Sequence, residues 1–323
     1  MSLERRPVFA ANLSLGQIRD SQYDVALAAL GYEARSSYVA GLVTSRVKYA
    51  LPFDDAAALS QAKNKRVLLA AGFDILEIQE SNIVDWLRAI LLREGSGGKN
   101  KLRVCVDISS LTRRRLAYFI ESIVSIARFE VPILEVDFVY NVAQFTAPTK
   151  QPSAATVCGP VSPFLAGWPT DPEKPVAAIV GLGYEYDKAL GAFEYLEPSC
   201  RLLLAPVSVD ARYDAAVQAA NRSLLESHED EVFRYPVDAP MECLELLDAL
   251  FYRLGDEFRI VALPFGPKIF ALCCMLLSCI HYPRIGVWRI SDQNAGVLQN
   301  RYSSENTVGL RVQFAHMSAA LRR

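Results

Sequence analysis

The chain has 323 residues, of which 51% are hydrophobic, and it carries a formal net charge of −2. This length exceeds the usual size of a single hydrophobic core, so two domains are expected. The small net charge and the modest numbers of glycine and proline, 17 each, argue against a disordered chain and against a surface that binds duplex nucleic acid throughout.

The cysteines and the apolar runs predict the cellular compartment of the protein. The seven cysteines contain no Cys-x-x-Cys pair and lie mostly in apolar runs, as reduced thiols do in a cytoplasmic protein. The N-terminal segment has acid and proline where a signal peptide needs an apolar core, and the longest apolar run, Ile269 to Ile280, is shorter than the roughly 20 residues that span a bilayer. The three histidines are isolated. We therefore expect a cytoplasmic protein with no membrane partner, no metal and no cofactor.

A short sequence motif occurs twice, and its two copies are roughly one domain length apart. The segments Tyr23 to Leu42 and Pro175 to Leu196 each contain a continuous apolar run, then Gly-Tyr-Glu, then a helical pattern. An apolar run without alternation is typical of a strand that is covered on both faces. The repetition predicts an internal duplication.

The remaining elements correspond in order between the two halves. In the first half, the strand-like stretches are VKYALPF, VLLAAGF, LRVCVDI and ILEVDFVY, separated by helix-like stretches such as NIVDWLRAILLREG. In the second, RLLLAPV, EVFRYPV, FRIVALPF and RIGVWRI alternate with three helical patterns. Strands that alternate with helices predict an α/β fold with two tandem Rossmann-like units and mostly parallel sheets.

The boundary is predicted from composition. Residues 145–175 contain seven prolines and little periodicity. We therefore expect a first unit at 1–150, a proline-rich linker at 151–175, and a second unit at 176–323. The second unit would carry a C-terminal extension, in which GLRVQFA (309–315) could add an edge strand.

Polar residues cluster where a predicted strand meets a helix, in VCVDISSLTRRRLAYFIESI (104–123). Asp107 closes the strand, Ser109 or Ser110 can cap the helix, and Arg113 falls in its first turn. All four are candidate ligand-binding residues: Asp107, Ser109, Ser110 and Arg113. Cations there face the positive end of the helix dipole, a conflict that a bound phosphate would remove. The alternative is that Ser110 and Thr112 only cap while the arginines pair with surface acids.

The two Gly-Tyr-Glu turns provide further candidate residues. Glycine permits a tight turn, tyrosine offers a stacking face, and glutamate can accept from an amine or a ribose hydroxyl. The candidate ligand-binding residues of these turns are Gly31, Tyr32, Glu33 and Arg35 in the first half, and Gly183, Tyr184 and Glu185 in the second. The alternative is that the glutamates are first-turn acids and the tyrosines pack.

The pattern Asp107-x-Ser109-x-x-x-Arg113 after a strand resembles a signature of the CRISPR-associated Rossmann fold (CARF) ligand sensors. The tandem halves are similar to those of the SAVED sensors of antiphage signalling. The resemblance implies a cyclic oligoadenylate ligand at the strand ends, with Asp107, Ser109 and Arg113 lining its pocket. In the second half, Gly266 and Lys268 occupy the corresponding turn, but the acid and the hydroxyl are absent, which favours an asymmetric site.

The resemblance favours a non-enzymatic sensor of a nucleotide or cyclic-oligonucleotide second messenger, in antiviral defence. The ligand would bind between the two Rossmann-like halves, and the signal would pass to a separate effector protein; the sequence also allows a homodimer. Two alternatives stay open: a metal-independent nuclease or hydrolase acting on a phosphate-containing ligand, and a non-catalytic scaffold of a multiprotein complex.

Overall fold

The computed structural model describes residues 3–53, 59–126, 132–148, 157–167, 171–186, 188–227, 231–291 and 298–316. The chain divides into two compact units, Met1–Gln144 with Leu298–Arg323, and Phe145–Val297. Each unit is built on one mostly parallel β-sheet. The predicted α/β fold with two Rossmann-like units is therefore confirmed.

The first unit has a seven-stranded sheet. Up to residue 144 its strands are β1 (Arg5–Leu13), β2 (Gln22–Leu30), β3 (Thr44–Pro52), β4 (Asp74–Ile75), β5 (Lys101–Asp107) and β6 (Ile133–Ala143). Its helices are α1 (Leu15–Asp20), α2 (Gln61–Ala70), α3 (Ile83–Gly95) and α4 (Arg113–Val124).

The second unit has a six-stranded sheet. Its strands are β7 (Val157–Pro160), β8 (Val176–Gly181), β9 (Cys200–Val207), β10 (Val232–Pro236), β11 (Arg259–Pro264) and β12 (Ile285–Ser291). Its helices are α5 (Lys188–Leu196), α6 (Ala211–Ala220), α7 (Arg222–Ser227), α8 (Pro240–Leu254) and α9 (Lys268–Ile280). The last strand of the chain, β13 (Ser303–His316), belongs to the sheet of the first unit.

The two sheets share one topology. The first runs β6-β5-β2-β3-β4 and the second β12-β11-β8-β9-β10, all with parallel neighbours. In each unit the chain fills one side of its first parallel strand, then returns to fill the other. Ligands of such sheets bind beyond the carboxyl ends of the strands where the direction reverses. We call the junction of β2 with β5 the first switch point, and that of β8 with β11 the second switch point.

Burial explains why the central strands read as unbroken apolar runs. From Val25 to Leu30, every residue of β2 is buried, and β8 is buried from Ala177 to Gly181. Helix α4 is amphipathic, with Leu116, Phe119 and Ile120 turned into the core. Each switch point therefore lies at the end of a strand that the core holds firmly.

Three sequence predictions about elements are wrong. VLLAAGF is not a strand, because residues 67–70 continue α2 and β4 follows as a two-residue strand. The helical pattern after the first Gly-Tyr-Glu forms only two short 3₁₀ turns, Ala34–Ser37 and Val39–Gly41. The 309–315 stretch is not at an edge, because β13 pairs antiparallel with both β1 and β6.

The linker and the tail also differ from the expected organisation. Part of the proline-rich stretch forms β7, which pairs antiparallel with β12 at the edge of the second sheet. Residues 149–156 and 168–170 of that stretch lie outside the described residues. The tail was expected as an extension of the second unit, but 298–323 groups with the first.

Candidate functional site

The first switch point brings two predicted turns together. A Cβ atom added to Gly31 would lie 3.0 Å from the Cβ of Ser110 and 2.9 Å from Ser36 Oγ. Both distances are shorter than side-chain carbons tolerate without a shift of a neighbour. Gly31 is therefore required by the close approach of the turn that follows β5.

The Gly31–Ser37 turn is fixed by side chains that bond its backbone. The Gly31 N–H donates to Ser36 Oγ at 2.9 Å, and that hydroxyl donates to the carbonyl of Ala29 at 2.9 Å. The Asn64 amide donates to the carbonyls of Gly31 and Glu33 at 2.9 and 2.8 Å. Hydrogen bonds from two buried side chains consequently hold the backbone of this turn.

Two of the predicted ligand residues of this turn bond each other instead. Arg35 Nε donates to Glu33 Oε2 at 2.7 Å, and its guanidinium also donates to the Asn141 carbonyl at 2.6 Å. Arg35 is only 2% exposed and lies over the Tyr140 ring. Burial acts to lower the pKa of Arg35, but Tyr140 and Glu33 outweigh it and raise the pKa above its ordinary value. Arg35 thus holds the turn to β6.

Asp107 and Ser109 are likewise engaged within the protein. Asp107 Oδ1 accepts from the Ser109 N–H at 2.9 Å, and Ser109 Oγ accepts from the Asn141 N–H at 2.8 Å. Both side chains are buried. The backbone of Asn141 therefore anchors both turns of the first switch point, through its N–H to Ser109 and its carbonyl to Arg35.

Ser110 differs from its neighbours. Its hydroxyl oxygen is buried, yet it has no hydrogen-bond partner among the residues that the structure describes. It follows the strand end of β5, faces Gly31, and precedes the first turn of α4. The expected capping role of Ser109 or Ser110 is wrong, because the N-cap of α4 is Thr112, whose hydroxyl accepts from the Arg115 N–H at 3.1 Å.

Two of the three arginines at the start of α4 lie near the same acid. Arg114 and Arg115 each lie 3.6 Å from a carboxylate oxygen of Glu80. Arg115 is buried and stacks 4.2 Å above the Phe53 ring. Pairing with a surface acid, the alternative weighed for the arginines, therefore describes Arg114 and Arg115. Arg113, at the first position of α4, is half-buried and follows Ser110 by three residues.

The second switch point has an even closer approach of its two turns. A Cβ added to Gly183 would lie 2.9 Å from the Gly266 amide nitrogen, and one added to Gly266 would overlap the Leu182 carbonyl. Gly266 has φ +72°, a conformation that favours glycine. The Gly183 carbonyl accepts from the Asn221 amide at 2.8 Å. At the second switch point, Gly183 and Gly266 therefore allow the two turns to touch through their backbones. At the first switch point, the backbone of Gly31 touches the side chain of Ser110.

Aromatic rings line the strand ends beside Gly183. The Tyr184 and Tyr213 ring centroids are 6.0 Å apart, and those of Tyr213 and Phe145 are 5.2 Å apart. The Arg212 guanidinium lies 5.2 Å from the Phe145 centroid. Glu185 is exposed, and Lys268 is half-buried at the first position of α9. Such a row is suited to stacking against a flat ligand group.

Sequence reasoning missed the asparagines that hold the turns. Asn64, Asn141 and Asn221 carry no motif of their own. One signal was available: Gln-Ala-x-Asn followed by a basic residue occurs at 61–65 and again at 218–222. Tyr213 and Phe145 offered no such repeat, because an aromatic residue in a helix or loop is usually a packing residue.

A separate cleft of about 410 Å³ lies in the second unit, lined by Leu190, Phe193, Glu194, Glu197, Arg201 and Leu224. It lies at the side of α5 and at the amino end of β9, away from the second switch point. Its two glutamates oppose its single arginine, so its charge does not favour an anion.

Within the described ranges, no helix is long and apolar enough to cross a bilayer, and no group of three or more His, Cys, Asp or Glu side chains could hold a metal ion. All seven cysteines are free thiols. No protein-family model matches the chain. No curated protein matches it in sequence.

Proposed function

We propose that this protein is a sensor that binds a nucleotide-containing second messenger at the first switch point. The observation that carries the proposal is the buried Ser110 hydroxyl, which has no hydrogen-bond partner among the described residues. A buried polar group without a partner costs about 1 to 3 kcal/mol, so its persistence calls for a reason. A ligand oxygen that bonds Ser110 Oγ supplies that reason.

The surrounding charges favour an anion. Helix α4 begins three residues after Ser110, and its positive dipole end points toward the same turn. Arg113 and Arg114 add cations where an isolated helix would favour acids. A phosphate at this position would be stabilised by the helix, by Arg113 and by Ser110 together.

The resemblance to CARF and SAVED sensors supports a nucleotide over a simple anion. The motif residues Asp107, Ser109 and Arg113 lie at a strand end and a helix start, as that resemblance implies. Asp107 and Ser109 bond within the protein, so in this proposal they shape the turn. Ser110, Arg113 and Tyr32 are then the residues that contact the ligand.

The same resemblance supports a role in antiviral defence, with a separate effector protein as partner. The free thiols fit a reducing cytoplasm. In the hydrolase alternative, Glu33 or Tyr32 would transfer the protons. Because Glu33 is paired with Arg35 at 2.7 Å, that carboxylate is poorly suited to act as a base, and we favour binding without turnover.

The test is calorimetric titration of the full chain with a panel of mono-, di- and cyclic nucleotides, followed by chromatography of the recovered ligand. We expect one class to bind, to return intact, and to lose affinity in Arg113→Ala. Arg66→Ala, which removes an exposed cation of α2, is the matched control. Recovery of a cleaved ligand would establish the nuclease alternative, and an Arg113→Ala variant that binds like the wild type would contradict the proposed site.

A further inference from the structure

Both units hold their Gly-Tyr-Glu turn in the same way. A buried asparagine amide from the next helical region donates to the carbonyl of the turn's glycine, Asn64 to Gly31 at 2.9 Å and Asn221 to Gly183 at 2.8 Å. The two asparagines occupy the same place in the repeated Gln-Ala-x-Asn sequence. The duplication therefore extends to a hydrogen bond, as well as to strand order.

In the first unit the asparagine grips both ends of the turn. Asn64 Nδ2 donates to the carbonyls of Gly31 and Glu33, and Asn64 Oδ1 accepts from Ser37 Oγ at 2.9 Å. Its side chain is fully buried. One side chain on α2 thus spans the turn from its first residue to its last.

The second unit has a looser version. Asn221 donates to Gly183 and also to the carbonyl of Val217 in its own helix, at 2.8 Å each. These two amide bonds reach only Gly183, the first residue of the turn. The additional grip on Glu33 is a feature of the unit that contains Ser110.

The hydrogen bonds of Asn64 determine where the residues of the turn lie. Through the Gly31 carbonyl, Asn64 fixes the peptide that precedes Tyr32, and through the Glu33 carbonyl it fixes the peptide that follows Glu33. The Gly31 N–H is fixed by Ser36, and the Tyr32 carbonyl accepts from the Ser60 N–H at 3.0 Å. Gly31 is also the residue that touches Ser110. A rotation of the Gly31 peptide would displace Tyr32 and change the space beside Ser110, and binding sites lose affinity when their groups move by about 1 Å.

We infer that Asn64 is the positioning residue of the ligand-binding turn, acting through the Gly31 and Glu33 carbonyls without touching the ligand. This inference rests on the proposed function. Asn221 is its structural counterpart in the second unit.

The variant Asn64→Asp distinguishes a positioning role of Asn64 from a general effect on the stability of the protein. The aspartate keeps the acceptor for Ser37 but, when ionised, directs a carboxylate at two carbonyls in place of the amide donor. Burial beside carbonyls raises the pKa of such a carboxyl, and its protonated form can donate to one of them. Ligand affinity relative to the wild type should therefore fall at about pH 8 and recover toward about pH 5.

The experiment uses the full chain and two readouts. Hydrogen exchange without ligand should show faster exchange for amides of residues 31–37 in Asn64→Asp, and unchanged exchange there in Asn221→Asp. Calorimetry with cyclic tetra-adenylate, or with the member of the nucleotide panel that binds the wild type, should show binding weaker by roughly tenfold or more at about pH 8, because the turn loses both of its bonds from the amide. Asn82→Asp, at the exposed N-cap of α3, is the matched control and should change neither readout.

Ser37→Ala is the milder second variant, because it removes only the bond that orients the Asn64 amide. It should give smaller changes of the same kind without the pH recovery. Wild-type affinity in both Asn64→Asp and Ser37→Ala, or a loss in Asn64→Asp that persists at about pH 5, would overturn the inference while the proposed function stood. A wild-type chain that binds no member of the panel would overturn the proposed function, and the positioning role with it.

Discussion

Asn141 shows how little of the first switch point is available for a ligand. Its N–H donates to Ser109 Oγ and its carbonyl accepts from the Arg35 guanidinium. The sequence placed both of these residues in the ligand site. Both are buried and serve the protein itself. In the proposed site, the set of residues that face the ligand is therefore smaller than the motif suggests, with Ser110 and Arg113 as its main members.

The cost of the Ser110 hydroxyl can be measured directly. Ser110→Ala removes a buried oxygen that has no partner among the described residues, so the free energy of unfolding should stay the same or rise by up to about 1 kcal/mol. Ligand affinity should fall in the same variant. Denaturant titration and calorimetry measure the two effects.

Ser109→Ala is the matched control for the predicted effect of Ser110→Ala on the free energy of unfolding. It removes the acceptor of the Asn141 N–H, so it should destabilise the protein by about 1 to 3 kcal/mol. If Ser110→Ala destabilised the protein as much as Ser109→Ala does, the Ser110 hydroxyl would have to be a structural bond donor or acceptor.

Gly31 gives a second prediction at the residue scale. Gly31→Ala places a carbon 3.0 Å from the Ser110 Cβ, so the two turns must separate, at a cost of about 1 to 3 kcal/mol. Gly41→Ala is the control, because nothing lies within 4 Å of its added Cβ. Equal thermal unfolding of the two variants would show that the turns do not press together at Gly31.

At the scale of elements, β13 is joined to the sheet by charge as well as by its ladder. Arg311 lies opposite Asp137 of β6 and donates to both its carboxylate oxygens, at 2.8 and 2.7 Å. Tyr23 of β2 donates to Asp137 at 2.7 Å. Burial, with Cys105 and Asp137, raises the pKa of Tyr23, so the phenol keeps the proton that it donates. Three strands thus share one buried carboxylate.

Asp137→Asn should be among the most destabilising single changes in this sheet. It leaves the Arg311 guanidinium with Glu135, 3.6 Å away, as the carboxylate near it, so the cost should be a large part of the roughly 3 to 5 kcal/mol for breaking a buried pair on one side. Asp85→Asn, in a pair whose carboxylate is 84% exposed, should cost less than about 1 kcal/mol. Comparable values from denaturant titration of the two variants would contradict a buried role for Asp137.

Glu135 makes the stability of the same sheet depend on pH. Burial acts to raise the pKa of Glu135, but hydrogen bonds from Gln313 and Lys101 and the charge of Arg311 outweigh it and hold the pKa below its ordinary value. A lowered pKa contributes stability above the ordinary pKa of about 4.3, and that stability is lost as the pH falls through the folded value.

Glu135→Gln should therefore be less stable than the wild type near neutral pH, by about 1 to 3 kcal/mol, and the difference should shrink as the pH falls below about 4. Unfolding titrations at a series of pH values measure it. A difference that stays constant from neutral to acid pH would show that the charge of Glu135 contributes nothing.

The elements that sequence could predict are those with a local signal. The apolar runs of β2 and β8 and the amphipathic period of α4 were recognisable because burial on one or two faces imposes a pattern. Residues 67–70 were misread as strand because a short apolar run fits a strand or the end of a helix. The central place of β13 had no local signal, since it depends on pairing with β1 and β6.

At the scale of the whole molecule, the chain returns to its first unit after completing the second. The sheet of Met1–Gln144 is completed by β13, which follows the second unit in sequence. Composition could predict a boundary near residue 145, but it could not show this return. The switch points were partly predictable, because the Gly-Tyr-Glu repeat marked one turn of each, whereas the asparagines that hold them depend on contacts distant in sequence.

Native mass spectrometry of the full chain, titrated with the nucleotide panel, tests the central claim most directly. The account predicts a ligand-bound mass for the wild type that is lost or strongly reduced in Ser110→Ala and Arg113→Ala, and retained in Arg66→Ala. A ligand-bound mass of equal intensity in all four proteins, or none in the wild type, would contradict it.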